Sequence, residues 1–370
     1  MNRKFMNRTI GIFLALIMLF SFVACGKSDR KGNVAKGEKF KVILLIPGNL
    51  GDKSFFDAAN AGITELNKIG DYETKVVEMT ADESKWEPAL LDAIDGGYDL
   101  IISGNGSSDI MNKLAKENKD LKFFNFDNAG TDAPENVYSV SYATNEGSFL
   151  AGVFASLVTT NTELKLANKN KTIGFMGGMD IPGINDFLVG YIQGAQHIDP
   201  EIKIVTTYAG SFGDPAKGKE LSLGMYNIGV DISFNVAGQT GLGSIDAANE
   251  TKKYAIGVDS DQAMLYKDSE PEKAQKVLTS VVKNIDKVIV DSVQKAKEGK
   301  LEYGKHELLG LKDDAVGLSD NEIYQTVPEN IRKKLEEVKD EILSEKIKVK
   351  SAFKMSTDEI AKYRESVQPK

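Results

Sequence analysis

The chain has 370 residues, of which 41% are hydrophobic, 8% aromatic and 27% charged, a composition typical of folded globular proteins. Its single cysteine excludes an internal disulfide framework, and its two histidines leave little material for a zinc site or a Ser-His-Asp catalytic site. The formal net charge of −8 argues against a surface that binds nucleic acid, and the length predicts two domains.

The first 24 residues predict a secretory signal peptide. Basic residues precede residues 10–24, an uncharged and mostly apolar run that is shorter than the roughly 20 residues a membrane-spanning helix needs. The run ends in FVACG, which resembles the lipobox of bacterial lipoproteins and implies that Cys25 is lipidated. The alternative is a plain signal peptide with an incidental cysteine. Residues 25–39 are polar and rich in glycine and lysine, which predicts a flexible tether.

Residues 40–158 alternate between two kinds of pattern. The run KVILLI at residues 41–46 is continuously apolar, as in a strand buried on both faces of a parallel sheet. In residues 55–69 the apolar positions recur every three or four residues, which predicts an amphipathic helix. The same two patterns predict strands at 74–79, 99–103, 122–127 and 137–142, and helices at 86–94, 108–117 and 146–158. Such alternation predicts a doubly wound α/β domain.

A second series of the same kind follows. It predicts strands at 172–176, 202–207, 231–236 and 254–258, and helices at 184–196, 215–228 and 243–252. The two series look like one architectural unit used twice. A strand at 278–282, a helix at 284–298 and a strand at 306–311 come after both, and their residues alone do not say which domain they join. Residues 328–347 predict a highly charged helix that braces the surface.

Motifs for phosphate chemistry fail on inspection. Residues 213–219 (GDPAKGK) have P-loop spacing, but Glu220 stands where a hydroxyl should hold magnesium, and Pro215 removes an amide donor. Asp214 and Pro215 instead predict an ordinary helix start.

The polar residues that remain, among them Asp127, Asp259 and Lys283, follow the ends of predicted parallel strands. Open α/β sheets bind ligands at such ends, which we call the strand-end rule. Because these polar residues include no nucleophile and base pair and no metal cluster, they indicate binding rather than catalysis, with no cofactor or metal.

Several segments together resemble the basic membrane protein family, the PnrA-like nucleoside-binding lipoproteins of ABC transporters. They are GDKSF (51–55), EGSFLAG (146–152), GGMDIP (177–182), SFGDPAKGK (211–219), AGQTGLG (237–243), AIGVDSD (255–261) and LTSVVKN (278–284). The resemblance implies a type I periplasmic-binding-protein fold, with two doubly wound Rossmann-like lobes joined by a hinge of three crossings near Ala143, Val258 and Leu311. It implies an N-terminal lobe of residues 40–143 and 259–311, a C-terminal lobe of 144–258 and part of 312–350, and a tail of 351–370.

The resemblance also implies roles for individual residues. Phe55 and Phe187 would stack on the two faces of a nucleobase, and Asp127 would contact the edge of the base. Asp259 and Lys283 would bind the ribose, and their opposite charges would hold one another between ligands. Gly238 would approach the sugar through its backbone. Gln239 lies near the sugar position, and Asn49 and Asp52 are candidate loop contacts on the base. Without the family pattern the phenylalanines fit core packing equally well, and the aspartates fit turns or helix caps.

Three substitutions depart from the family pattern near the expected base pocket. After the first strand, residues 47–49 read Pro-Gly-Asn where the family commonly has Asp-Gly-Gly. Phe56 follows Phe55 where the family commonly has asparagine, and Asp186 precedes Phe187 where a basic residue is frequent. These positions bear on the preference for purines or pyrimidines.

The expected function is capture of nucleosides, purine nucleosides favoured, in a cleft between the lobes for uptake. The partners would be an ABC permease and its ATPase subunit, and a lipid on Cys25 would anchor a monomer to the extracytoplasmic face of the cell membrane. Two alternatives stay open: a sugar or other small-solute binder of the same fold, and a surface or regulatory lipoprotein. An enzyme that cleaves nucleosides is not expected.

Overall fold

The computed structural model describes residues 38–128 and 130–369. The predicted signal peptide (1–24), Cys25 and all but the last two residues of the predicted tether (25–39) lie outside the described residues. The described strands are β1 (Phe40–Ile46), β2 (Tyr72–Glu78), β3 (Leu100–Ser103), β4 (Phe123–Asn125), β5 (Val137–Tyr142), β6 (Thr172–Gly177), β7 (Lys203–Tyr208), β8 (Ile232–Val236), β9 (Tyr254–Asp259), β10 (Val277–Lys283), β11 (His306–Leu309) and β12 (Val316–Leu318).

Helices connect nearly all of these strands. They are α1 (Phe55–Ile69), α2 (Trp86–Asp95), α3 (Ser108–Glu117), α4 (Thr144–Thr160), α5 (Pro182–Ile198), α6 (Pro215–Asn227), α7 (Gln239–Thr251), α8 (Gln262–Tyr266), α9 (Pro271–Ala274), α10 (Ile285–Lys297), α11 (Glu329–Leu343) and α12 (Thr357–Val367). The sequence patterns predicted the longer elements, within a few residues at each end, but not the short α8, α9 and β12 or the helix α12.

The strands form two six-stranded sheets, one for each lobe. The first sheet has the order β11-β5-β4-β3-β1-β2 and is parallel throughout. The second has the order β12-β10-β9-β8-β6-β7 and is parallel except for β12, which runs antiparallel to β10. Helices alternate with the strands along the chain in both, which confirms the predicted fold of two doubly wound α/β lobes.

Burial explains why these segments form these elements. In β1 every residue except Lys41 is buried, as expected for a strand covered on both faces. Helix α1 buries Ala58, Ala59, Ile63 and Leu66, the apolar stripe that its period predicts. Helix α4 is buried almost throughout.

Helices α4 and α5 pack in unusually close contact. A Cβ atom on Gly194 would lie 1.9 Å from the carbonyl oxygen of Phe149, and one on Gly152 would lie 2.1 Å from that of Tyr191. Only glycine allows this approach of two helix backbones, because any side chain would overlap the neighbouring carbonyl. The broad apolar face of α4 therefore belongs to the core of the second lobe.

The chain passes between the two sheets three times. It leaves the first sheet after β5, returns after β10 and crosses again after β11. The transitions near Ala143 and Leu311 lie at the first and third of these points. The prediction that residues 259–311 belong wholly to the N-terminal lobe is wrong, and so is the crossing near Val258, because β10 pairs in parallel with β9 in the second sheet. The crossing lies at Asn284, after which α10 packs against α1.

Residues after 311 belong to the second lobe. Strand β12 pairs with β10, and α11 buries Ile331, Leu335, Val338 and Ile342 on the side that contacts α4. The segment expected to be a tail, residues 351–370, includes helix α12. Its Ile360 packs together with Ala352 against Val189 of α5. The last elements of the chain therefore extend the core of the second lobe.

Candidate functional site

Two carboxylates and one ammonium group meet where strands from both sheets end. Asp127 follows β4 of the first sheet, whereas Asp259 and Lys283 are the last residues of β9 and β10 of the second. The Nζ atom of Lys283 donates to Oδ2 of Asp127 at 3.0 Å. Both side chains are largely buried, with exposed fractions of 7% and 18%. This ion pair therefore joins the two lobes in a region of low solvent exposure.

The expected pairing of Lys283 with Asp259 is not the one that the structure forms. In the register of β9 and β10, the residue opposite Asp259 is Val282. Lys283 lies one position beyond that pair, and Asp259 itself has a left-handed backbone, with φ +61°. Its positive charge still acts on Asp259 through space and favours the ionised form. The direct partner of Lys283 is the base-edge candidate, Asp127.

Asp259 makes the second polar contact between the lobes. Its Oδ2 accepts a hydrogen bond of 2.5 Å from the hydroxyl of Ser54, the residue that precedes α1. Burial raises the pKa of Asp259 to about 6, against the opposing effects of Lys283 and of the Ser54 hydrogen bond. Nearby, Gln262 donates from Nε2 to the carbonyl oxygen of Lys53 at 3.1 Å. The loop before α1 is thus held against the end of β9.

Aromatic rings surround the ammonium group of Lys283. Its Nζ lies 4.7 Å from the centre of the Phe55 ring and 4.6 Å from that of Tyr142. Such cation–π contacts contribute more when the cation is removed from water. Phe55 is half-buried and also packs on Phe126, with ring centres 5.5 Å apart. One face of the candidate site therefore combines a flat ring, a cation and a carboxylate.

Phe187 lies in a different environment. It is 5% exposed and packs on Phe234 of β8, with ring centres 6.1 Å apart. Among the described residues, no ring contact joins Phe187 to Phe55. The contacts of Phe187 are those of a packed core residue, so its stacking role stays a prediction.

The remaining candidates divide into exposed and structural residues. Gly238 has φ +53° before α7, a conformation that favours glycine, and the next residue, Gln239, is exposed. Asn49 is also exposed and donates from Nδ2 to Glu78 at 3.4 Å.

Asp52, a candidate for contact with the base, is engaged in its own loop. Its two carboxylate oxygens accept the backbone N–H groups of Ser54, Phe56 and Asp57 at 2.9–3.1 Å. Burial raises the pKa of Asp52, and these hydrogen bonds oppose the change. Asp52 therefore holds the start of α1, and its oxygens already have partners.

Two residues that the sequence reasoning missed border the same site. Asn105 follows β3, is exposed, and has φ +54°; its Nδ2 donates to Oδ2 of Asp127 at 3.4 Å. Tyr142 ends β5, and its buried hydroxyl has no hydrogen-bond partner among the described residues. The strand-end rule that selected Asp127 could have selected both. Asn105 lies in a short polar run after β3, and Tyr142 is the last residue of β5.

This inventory suits a small polar ligand. Carboxylates accept hydrogen bonds from hydroxyl and N–H groups, an ammonium donates to oxygen, and an aromatic ring covers a flat surface. Within residues 38–128 and 130–369, no group of three or more His, Cys, Asp or Glu side chains is arranged to hold a metal ion. None of the described helices combines the length and apolar character needed to span a membrane.

Comparison with known proteins identifies the family. The family described as PnrA-like ABC transporter substrate-binding protein matches residues 39–352. Basic membrane protein D of Borreliella burgdorferi (strain JD1) is 33% identical over 344 residues, which cover 91% of this chain and 94% of that protein. The ABC transporter nucleoside-binding protein BmpA of Lactococcus lactis subsp. cremoris (strain MG1363) is 31% identical over 354 residues, covering 91% and 97%.

A solved structure supports the architecture independently. The solute-binding protein of an ABC transporter system from Aeropyrum pernix K1 has a TM-score of 0.78 at 24% identity, covering 89% of this chain and 100% of that one. Proteins of this class bind a small ligand, work with permease and ATPase partners, and are not enzymes. The chain belongs to the PnrA-like family of ABC transporter substrate-binding proteins.

Proposed function

We propose that this protein captures nucleosides, purine nucleosides in particular, and presents them to an ABC permease. The observation that carries the proposal is the group formed by Asp127, Lys283 and Phe55 at the junction of the lobes, with Asp259 adjacent. A nucleoside combines a flat base with a hydroxylated sugar, and these residues offer partners for both. The relative from Lactococcus lactis, which is named for nucleoside binding, supports the same ligand class.

Each residue then has a defined part. Phe55 covers one face of the base, and Phe187 covers the other once its side chain rotates away from Phe234, while the backbone of α5 stays in place. Asp127 accepts N–H groups at the edge of the base, so a base without a donor there leaves a carboxylate unpaired. Asp259 accepts hydrogen bonds from the ribose hydroxyls. Lys283 exchanges part of its bond to Asp127 for one to the sugar.

A ligand that contacts both lobes can change the balance between the open and closed forms of the protein. A ligand that binds the closed form more tightly than the open form shifts the population toward closure. The hinge crossings lie after β5, β10 and β11, and Lys283 sits beside the second of them.

We further propose that a lipid on Cys25 anchors the protein, as a monomer, to the extracytoplasmic face of the cell membrane, where the permease receives the ligand.

Calorimetry tests the ligand class. The chain from residue 27 is titrated with inosine, adenosine, guanosine, cytidine and free ribose. We expect micromolar or tighter binding of purine nucleosides and at least tenfold weaker binding of ribose. Tighter binding of ribose or another sugar would instead support the small-solute alternative. Mass spectrometry of small molecules released on denaturation gives an unbiased check, and release of free base from inosine would contradict a purely binding role.

A matched pair of lysine variants tests the site itself. Lys283→Met removes one partner of a buried charge pair, a change that costs about 2–5 kcal/mol and weakens nucleoside binding by at least about 30-fold. Lys113→Met removes an exposed ion pair with Glu87 and leaves affinity unchanged. Equal affinities for the two variants would contradict the proposed site.

A further inference from the structure

The end of the chain lies against the start of α5, the helix that carries Phe187. We call residues 349–367 the C-terminal segment. Its Ala352 and Ile360 pack on Val189, one turn beyond the first turn of α5. Lys350 exchanges two backbone hydrogen bonds of 3.0 Å with the side chain of Gln193. Helix α12, within this segment, lies beyond the residues that match the family.

Asp186 joins three parts of the chain at one buried point. It is 1% exposed and immediately precedes Phe187. Its Oδ1 accepts the hydroxyl of Ser351 at 2.7 Å and the backbone N–H of Ala352 at 2.8 Å. Its Oδ2 accepts the hydroxyl of Thr144 at 2.8 Å and the N–H of Asn145 at 3.1 Å. One carboxylate thus ties α5 to the first hinge crossing and to the C-terminal segment.

A second network holds the loop before α5. Arg364 of α12 donates from one guanidinium nitrogen to Oδ2 of Asp180 at 2.8 Å, and its guanidinium lies 5.3 Å from the centre of the Tyr208 ring. Oδ1 of Asp180 accepts from the amide of Asn185 at 2.8 Å. Tyr208 in turn donates to Asn185 at 2.6 Å. Asn185 and Asp186, the two residues before Phe187, are therefore both held by these networks.

The start of α5 has no local side-chain cap, so the side-chain contacts that hold it come from distant segments. The residue before the helix is Ile181, which offers no side-chain acceptor, and Pro182 supplies no N–H. We infer that the C-terminal segment is a clamp that fixes the first turn of α5 and so positions Phe187 for the ligand. Asp186 and Arg364 are its positioning residues. The link to ligand affinity rests on the proposed function, whereas the clamp itself does not.

Two arginine variants test the clamp. Arg364→Ala removes the contact to Asp180. Arg332→Ala is the matched control, because Arg332 of α11 donates to the Val327 carbonyl and the Gln325 side chain, and among the described residues it has no hydrogen bond or ion pair to α5. In the chain from residue 27, we expect Arg364→Ala to speed amide hydrogen exchange at least tenfold in peptides covering residues 182–190. We expect its affinity for inosine to fall about five- to tenfold. Arg364→Lys should recover part of the slow exchange and part of the affinity, and Arg332→Ala should change neither the exchange rate nor the affinity.

The readouts separate the clamp from the ligand assignment. Unchanged exchange at residues 182–190 in Arg364→Ala would overturn the clamp, whatever the ligand. Faster exchange together with the affinity of the Arg332→Ala control would overturn its role in positioning Phe187. If the unmodified chain binds no nucleoside, the proposed function fails. The exchange measurement then still decides on the clamp, and affinity is measured for the molecule released from the purified protein.

Discussion

Helices α1 and α5 occupy equivalent positions in the two lobes, yet their first turns are fixed in different ways. Each follows the first strand of its lobe, β1 or β6, and each carries a phenylalanine near its start. The start of α1 is held from within its own loop, by Asp52 and Asp57, which accept backbone N–H groups between residues 51 and 57. The start of α5 is held by Asp186, whose partners lie 41 to 166 positions away.

The difference shows two ways to build one feature. A local cap forms as soon as its helix forms, because its donors and acceptor are neighbours in sequence. The bonds of Asp186 are not a cap, since their donors belong to other segments; they form only when those distant segments have packed, so they link the helix to the rest of the lobe. In this protein the second lobe thereby makes the position of Phe187 dependent on residues near the end of the chain.

Removing the remote hydrogen bonds of Asp186 should have the larger effect. Asp186→Ala leaves two hydroxyls and two backbone N–H groups without their acceptor in a buried site, so we expect the free energy of unfolding to fall by about 3–5 kcal/mol. Urea unfolding measures it. Asp186→Asn keeps one acceptor oxygen, so its free energy of unfolding should lie between those of the unmodified chain and of Asp186→Ala. A loss below about 1 kcal/mol for Asp186→Ala would mean that these bonds are replaced by water.

Removing the local cap should have a smaller effect. Asp52→Ala frees three N–H groups at the start of α1, which lies nearer to solvent, and we expect a loss of about 1–3 kcal/mol in the same assay. Asp82→Ala is the matched control, since Asp82 caps a short, exposed helical turn through Ser84 and should change the unfolding midpoint less. If Asp52→Ala is as costly as Asp186→Ala, the distinction between a local cap and remote hydrogen bonds fails.

A remote contact at the start of α1, from the Ser54 hydroxyl to Asp259, should show itself chiefly as a dependence of stability on pH. Because the folded pKa of Asp259 is raised to about 6, the folded chain keeps a proton between about pH 4 and pH 6 that the unfolded chain has released. This group therefore lowers the free energy of unfolding as pH rises through that window. Above pH 6 the reduction is complete.

Asp259→Asn removes this contribution, so its stability relative to the unmodified chain should increase from pH 4 to pH 7. Urea unfolding at each pH measures the difference, in which the other titrating groups cancel. Ser54→Ala removes a hydrogen bond that favours the ionised form and should raise the pKa of Asp259 further. A constant difference between Asp259→Asn and the unmodified chain would contradict the raised pKa.

The sequence patterns predicted the fold more completely than the site. Hydrophobic periodicity located the long strands and helices. A helix buried along one stripe repeats apolar residues every three or four positions, and a strand buried on both faces is a continuous apolar run. The strand-end rule selected Asp127, Asp259 and Lys283, which do lie near one another. The resemblance paired Lys283 with Asp259, whereas its hydrogen-bond partner in the structure is Asp127, because contacts between the two sheets depend on how the lobes pack and no local pattern records that.

The amino-acid order alone therefore determined the alternating elements, the two-lobe α/β class and the family. Only the tertiary structure decided that residues 277–283 join the second sheet, that Asp127 is the partner of Lys283, and that the last helix holds the start of α5. The physical reason is distance along the chain. Periodic burial acts over a few residues, whereas these contacts join segments more than 150 residues apart, or strands whose order in the sheet is set by packing.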